Sequence, residues 1–223
     1  MINTVIFDMD GTVLDTLDDL TDSMNYVLKR FKMPCHGKED YRRFFGNGVR
    51  YALEKAVVKG TPSETIDCML PIFKKHYNKH CLDHTKPYDG ISELMKELKT
   101  EGYKLAIVSN KIDSAVKELN RRFFSEVIEV AIGESPGIRR KPAPDTVLEA
   151  MKALNSNAAE SMYVGDSEVD FETARNAGLP CISVLWGFRS EEFLRENGAS
   201  VFARQPGEVL RILHDASTTH PLK

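Results

Sequence analysis

Two short acidic patterns stand out by residue type and spacing. Asp8-Met9-Asp10-Gly11-Thr12 places carboxylates at i and i+2, which an extended chain aims to the same side, and Gly11 then permits a sharp turn. Gly165-Asp166-Ser167-Glu168-Val169-Asp170 gathers a second set. Oxygen-rich clusters of this kind suit a hard dication, with magnesium the natural candidate. Carboxylates alone repel a phosphate, so two further features matter: Ser109-Asn110, a hydroxyl with neighbouring backbone amides, and Lys141, a point charge suited to a phosphoryl oxygen. Each has an ordinary alternative when taken singly. The acids make a polar turn or the first turn of a helix, and Lys141 joins a solvated run with Arg139 and Arg140, although Pro142 and Pro144 argue for a rigid presentation.

The elements around these residues decide between the alternatives. Val5-Ile6-Phe7 is a short run of β-formers that Asp8 ends abruptly, as a buried parallel strand does at a sheet edge. After residue 85 helix and strand alternate. Ile91, Leu94, Met95 and Leu98 follow helical spacing to a stop at Gly102, and Leu105–Val108 reads as the next buried strand. A helix near Asp113–Arg121, a strand near Val127–Ile132, a helix over Pro144–Leu154 and a strand at Met162–Val164 follow. Val169–Ala177, stopped by Gly178, and a fifth strand at Cys181–Leu185 complete the series. Repeated αβ units imply an α/β fold with a doubly wound, Rossmann-like parallel sheet. Asp8, Ser109, Lys141 and Asp166 then all follow strand ends, where such sheets place their ligand crevice.

From Asp15 to about Thr85 the texture changes. Leu17, Leu20, Met24, Val27 and Leu28 have amphipathic helical spacing, Val49–Val58 and Ser63–Asn78 look helical, and no convincing strand intervenes. The expected organisation is a catalytic core of residues 1–14 and 86–223 with an inserted all-helical domain over 15–85. Its two crossings, near Leu14-Asp15 and through Lys86-Pro87-Tyr88-Asp89-Gly90, form a hinge.

Composition narrows the classes. The 223 residues are 42% hydrophobic and 28% charged, enough for a sizeable core, and the net charge of −3 offers no field for nucleic acid or an anionic membrane surface. No apolar run approaches the roughly 20 residues of a spanning helix, and there is no internal repeat or low-complexity segment. Four separated cysteines without a C-x-x-C pair, and an N-terminus lacking a signal-like stretch, imply a reduced, cytoplasmic protein.

In order along the chain, Asp8-Met9-Asp10-Gly11-Thr12, Ser109-Asn110, Lys141 and Gly165-Asp166-Ser167-x-x-Asp170 resemble the four motifs of the haloacid dehalogenase-like hydrolase superfamily. The insert resembles that superfamily's helical cap of the first class. Gly46-Asn47-Gly48-Val49-Arg50 and Trp186-Gly187-Phe188-Arg189-Ser190 carry a finer likeness to phosphoglycolate phosphatases and their near relatives.

The resemblance implies a magnesium-dependent phosphatase acting on a small phosphate ester, best matched by 2-phosphoglycolate. It makes Asp8 the nucleophile that forms an aspartyl-phosphate and Asp10 the acid and then base. Mg2+ would be held by Asp8, the Asp10 backbone carbonyl and Asp166, with Asp170 supporting from behind. Ser109 and Lys141 would serve catalysis. Thr12, Asn110, Gly48 and Arg50 would contact substrate, Arg50 through a substrate carboxylate. The expected assembly is a monomer or homodimer. A phosphosugar mutase of the same superfamily is the first rival, although such relatives commonly carry Glu-Asp where this chain has Gly165-Asp166. A receiver-type signalling module is the second, although its phosphorylated Asp normally ends a middle strand and it has no cap.

Other patterns stay outside this scheme. His76, His80 and His84 recur every four residues beside Cys81, a spacing that binds zinc if the helix persists and a further ligand converges, and otherwise an exposed face. Phe44, Phe45 and Tyr51 read as packing within the insert, and Arg42-Arg43 and Arg121-Arg122 as solvated faces.

Overall fold

The computed structural model describes residues 1–218. Strand β1 (Thr4–Phe7) is buried at all four positions and lies at the centre of the sheet, which explains its continuous apolar run. The chain leaves it through the two-residue strand β2 (Leu14–Asp15) and crosses helices α1 (Leu17–Arg30), α2 (Lys38–Phe44), α3 (Val49–Ala56) and α4 (Ser63–His80). It returns through β3 (Lys86–Pro87), which pairs antiparallel with β2, so the outward and inward crossings form one ribbon. Asp19, 1% exposed, fastens the join: its carboxylate accepts from the backbone N–H of His84 (2.9 Å) and of Thr85 (3.0 Å) and from the Thr85 hydroxyl (2.7 Å).

The remaining elements are α5 (Ile91–Thr100), β4 (Lys104–Ile112), α6 (Asp113–Phe123), β5 (Val130–Glu134), α7 (Asp145–Ala153), β6 (Ser161–Gly165), α8 (Glu168–Ala177), β7 (Cys181–Val184), α9 (Glu191–Glu196), β8 (Phe202–Ala203) and α10 (Pro206–Thr218). The six-stranded sheet runs β5-β4-β1-β6-β7-β8 with every pairing parallel. Strand order reverses beside β1, so the crevice of this doubly wound sheet opens at the carboxyl ends of β1 and β6, after Phe7 and Gly165.

Period-two alternation divides the core between the two faces of the sheet. Val5, Phe7, Leu105 and Ile107 pack with Leu94, Leu98, Leu119 and Val209 on one face. Ile6, Ala106, Val108 and Tyr163 pack with Val147, Ala150, Leu154 and Ala174 on the other. The helical insert has its own apolar centre of Met24, Leu28, Tyr41, Leu53, Met69 and Phe73, which Ala115 and Phe188 join from the sheet side.

Several local expectations shift. Strand β5 begins at Val130 rather than Val127, because Val127 and Ile128 complete the turn after α6 with N–H groups bonded to the Phe124 carbonyl. Strand β4 continues through Ser109 to Ile112 instead of stopping at Val108, with a register irregularity between Val108 and Ile112. The short helix α2 and the sixth strand β8 carry too little periodic signal to be read from sequence.

Candidate active site

Strand β1 delivers Asp8 to the sheet edge, where its backbone N–H still bonds the Val164 carbonyl of β6 (2.9 Å). The chain then turns at Gly11, whose φ of +81° and whose contact with Asp166 leave no place for a Cβ. Asp166, 1% exposed, is gripped on both oxygens: the Thr12 hydroxyl donates to Oδ1 (3.1 Å) and the Phe188 N–H to Oδ2 (2.6 Å). The loop carrying Phe188 reaches this carboxylate because Gly187 packs directly on the Asp166 side chain and the Gly11 carbonyl. Trp186 Nε1 pins the same loop to the Thr12 carbonyl (2.9 Å).

Lys141, 2% exposed, enters from the segment after β5 and links two carboxylates. Its Nζ lies 2.7 Å from Asp8 Oδ1 and 2.7 Å from Asp170 Oδ1, with the Tyr163 hydroxyl at 3.1 Å. The other Asp170 oxygen accepts from the Ser167 N–H (3.1 Å) and hydroxyl (2.6 Å), within the capping box that starts α8. Asp8, Asp166 and Asp170 each bring a carboxylate oxygen to within 4.8 Å of the others, and among the described residues no other His, Cys, Asp and Glu group is this close.

The electrostatics follow from burial and crowding. Burial, then Asp170, raise the Asp8 carboxyl well above its ordinary value, and the Lys141 ammonium opposes them. Asp166 is pushed up to about 7 by burial and by Asp170, against the pull of the Phe188 N–H, Arg189 and Thr12. Burial pulls Lys141 down, but Asp170 and Asp8 outweigh it, so the ammonium stays charged. Three hard-oxygen acids around one cation leave excess negative charge, and a divalent ion of oxygen preference fits that donor set.

Asp10 lines the same cleft with a separate set of partners. Its Oδ1 accepts from the Thr16 hydroxyl (2.6 Å) and lies 2.8 Å from Lys111 Nζ. Lys111, 5% exposed, also donates to the Tyr77 hydroxyl of α4 (2.7 Å) and sits 4.3 Å from that ring's centre. Burial, then Asp10, keep Tyr77 a neutral phenol able to accept that bond.

Asp8, Asp10, Ser109, Asn110, Lys141, Asp166 and Gly48 therefore line one cleft, which the insert covers with Phe45, Val49, Phe73 and Tyr77. The Ser109 hydroxyl accepts from the Lys111 N–H (3.1 Å). The Asn110 side chain is structural in its contacts. Its amide donates to the Gly46 carbonyl (3.1 Å) and the Lys141 carbonyl (3.0 Å), and its oxygen accepts from the Lys141 N–H (2.7 Å), tying insert, β4 and the lysine segment together.

Two residues expected to contact substrate have other partners in this structure. Arg50 lies outside the cleft lining: its guanidinium is paired with Asp67 and with Glu54 (3.1 Å) and donates to Ser63 Oγ (2.8 Å), so the α3–α4 surface has claimed it. Thr12 is fully buried, and its hydroxyl donates to the Asp166 carboxylate. Arg42 is not a solvated face either, since it donates to the Gly187 carbonyl (3.0 Å) across the cleft rim, while Arg189 donates to the carbonyls of Arg42 (2.6 Å) and Phe45 (2.8 Å). His76 and His80 stack ring on ring at 4.3 Å, but among the described residues the three histidines and Cys81 form no group of three ligands: His76 meets Ser23, His80 meets Asp83, and His84 lies 3.9 Å from Asp22.

Lys111 and Tyr77 are the functional candidates that sequence reasoning missed. The signal for Lys111 was its position two residues beyond Ser109, which places both side chains on one side if the strand continues. Tyr77 had no signal apart from its place on an amphipathic helix.

Residues 5–184 match the haloacid dehalogenase-like hydrolase family. A phosphoglycolate phosphatase of Aquifex aeolicus is 30% identical over 188 residues, 84% of this chain and 86% of its own. Pyrophosphatase PpaX of Halalkalibacterium halodurans is 28% identical over 213 residues, 95% and 97% of the two chains. The crystal structure of a Lactobacillus delbrueckii subsp. bulgaricus protein, provisionally described as a phosphoglycolate phosphatase, superposes with a TM-score of 0.90 at 37% identity, covering 95% of this chain and 98% of its own.

Proposed function

Since the chain belongs to the haloacid dehalogenase-like hydrolase family and is a phosphatase of its phosphoglycolate phosphatase-like group, we propose that it hydrolyses 2-phosphoglycolate with magnesium as the metal. The observation that carries this reading is the pairing of Asp8 with Lys141 at 2.7 Å and the presence of Asp10 in the same cleft. One carboxylate is held by a cation for attack, and a second stands where a leaving oxygen needs a proton.

In this mechanism the Asp8 carboxylate attacks phosphorus in line and forms an aspartyl-phosphate as the ester oxygen departs. Asp10 gives that oxygen its proton, then accepts one from the water that opens the acyl phosphate and returns Asp8. Lys141 holds Asp8 and offsets charge on the phosphoryl oxygens, which the Ser109 hydroxyl and the backbone after it also approach. Asp8 and Asp166 would ligate magnesium, with the Asp10 carbonyl, while Asp170 keeps Lys141 in place. The metal supplies charge neutralisation and orientation for the phosphoryl group. The insert over residues 15–85 acts as the cap that excludes water, covering the cleft with Phe45, Val49, Phe73 and Tyr77.

Retention of the phosphoryl group for transfer, as in a mutase, is less well supported. Any side chain at Gly165 would collide with Asp170, so the glutamate usual there in such enzymes has no room. The four free cysteines suit the reducing cytoplasm, the compartment we assign.

Turnover of 2-phosphoglycolate, pyrophosphate and a panel of sugar and aromatic phosphates with Mg2+ tests the substrate. Asp8→Asn should lower kcat by about 10³-fold or more on whichever is used, with unchanged melting behaviour. Near-normal turnover by that variant would refute the nucleophile, and equal use of all esters would refute the substrate alone.

A further inference from the structure

Two buried ammonium groups enter the cleft, and the scheme above uses only one. Lys141 serves the Asp8 side. Lys111 serves the Asp10 side, 2.8 Å from Asp10 Oδ1 and 2.7 Å from the Tyr77 hydroxyl. An ammonium carries three N–H donors, and these contacts take two, leaving one for a ligand. The neighbouring walls, Leu20, Phe45, Val49, Phe73 and Phe188, are apolar, so a charged group entering there finds Lys111 as its match.

Position then decides what that group is attached to. A cation within hydrogen-bond distance of the acid that protonates the leaving oxygen lies against the next atoms of the leaving group, not against the phosphoryl oxygens. Two other nearby cations are committed, Arg50 to Asp67 and Glu54 and Arg189 to Glu168 and the carbonyls of the α2 end, while Arg140 reaches Gly48 only from the exposed rim. We propose that Lys111 selects substrates whose leaving group is itself anionic, a carboxylate one carbon from the ester oxygen or a second phosphate, by donating to that anion from the Asp10 side of the cleft. The proposal rests on the assignment of Asp10 as the acid, and it does not depend on which of the two anions is physiological.

The test compares wild type, Lys111→Met, Lys111→Arg and Arg50→Ala on 2-phosphoglycolate, pyrophosphate and carbamoylmethyl phosphate, the neutral amide of 2-phosphoglycolate, all with Mg2+. Wild type should prefer one anionic substrate over the amide by about 30-fold or more in kcat/KM, the scale of an unpaired buried charge. Lys111→Met should lower kcat/KM on the amide through the lost Asp10 partner, but lower it on the anionic substrate by about 30-fold more, mostly through KM, so that the preference disappears. Lys111→Arg should keep part of it, and Arg50→Ala should keep all of it.

Equal loss on charged and neutral substrates would make Lys111 only a support for Asp10 and overturn the proposal. So would a wild type indifferent to leaving-group charge, a result that needs no folded variant, or loss of the preference in Arg50→Ala. A preference for pyrophosphate over 2-phosphoglycolate would refute the substrate assigned above and leave the role of Lys111 standing.

Discussion

Lys141→Met puts the electrostatic account of the cleft at risk. Methionine keeps the length of the side chain and removes the ammonium that lies 2.7 Å from both Asp8 and Asp170. Those carboxylates are 7% and 1% exposed, with Asp166 at 1% beside them, so water cannot take over the work of the lysine. Breaking a buried ion pair by deleting one partner costs about 3–5 kcal/mol. For a chain of this size that is a fall in Tm of about 6–20 °C. The loss depends on pH in a fixed direction. Burial and Asp170 already raise the Asp8 carboxyl, and without Lys141 it rises further, so in acid a proton can replace the missing cation. Urea unfolding of both proteins in EDTA should therefore show the largest difference near about pH 8 and a smaller one near about pH 5. A loss below about 1 kcal/mol, or one that does not change with pH, would mean that the three acids do not share one field with Lys141.

Two other outcomes follow from the same geometry. Gly187→Ala places a methyl group into Asp166 and the Gly11 carbonyl and pushes away the Phe188 N–H that donates to Asp166; urea unfolding should show a loss of about 2–4 kcal/mol and metal titration a weaker Mg2+ affinity. Asp166 is raised to about 7, so its ionisation opposes folding in metal-free protein as pH climbs from the unfolded value towards neutrality. Mg2+ selects the ionised form, so the Tm increment it gives over EDTA should grow between about pH 5.5 and pH 8, and a flat increment would contradict this.

The sheet and the acids gathered at its edge were legible because both are written in contiguous signals. Val5-Ile6-Phe7 is apolar throughout since β1 is covered on both faces, and the acids that follow it and β6 stand at the reversal of strand order. The leaving-group end was not legible. Lys111 follows a buried strand whose polar continuation, Ser109-Asn110-Lys111, looks like a loop in sequence but remains in β4 with an irregular register. Arg50 misled for the opposite reason. A cation next to a glycine-rich turn has the right address, but its partners Asp67 and Ser63 come from another helix, and no local pattern announces an interhelical pair. The sixth strand, Phe202–Ala203, is too short for periodicity to register.

The bonds between sheet and insert are distributed unequally over the cleft, and that has a consequence for how the two ends respond to separation. Asp8, Lys141, Asp166, Asp170 and Tyr163 all belong to the sheet and the segments flanking it, Asp170 on α8, and their mutual contacts cross no boundary with the insert. Asp10 accepts from Thr16, which stands where the chain enters the insert, and lies beside Lys111, which is bonded to Tyr77 of α4. Asn110 adds a bond from β4 to Gly46. Moving the helices of the insert away would break the Tyr77 and Gly46 contacts and disturb Thr16, while the Lys141 and Asp170 partners of the Asp8 cluster travel with the sheet. Asp8 is thus built into the sheet, whereas the surroundings of Asp10 are completed only when the helices of the insert lie over it.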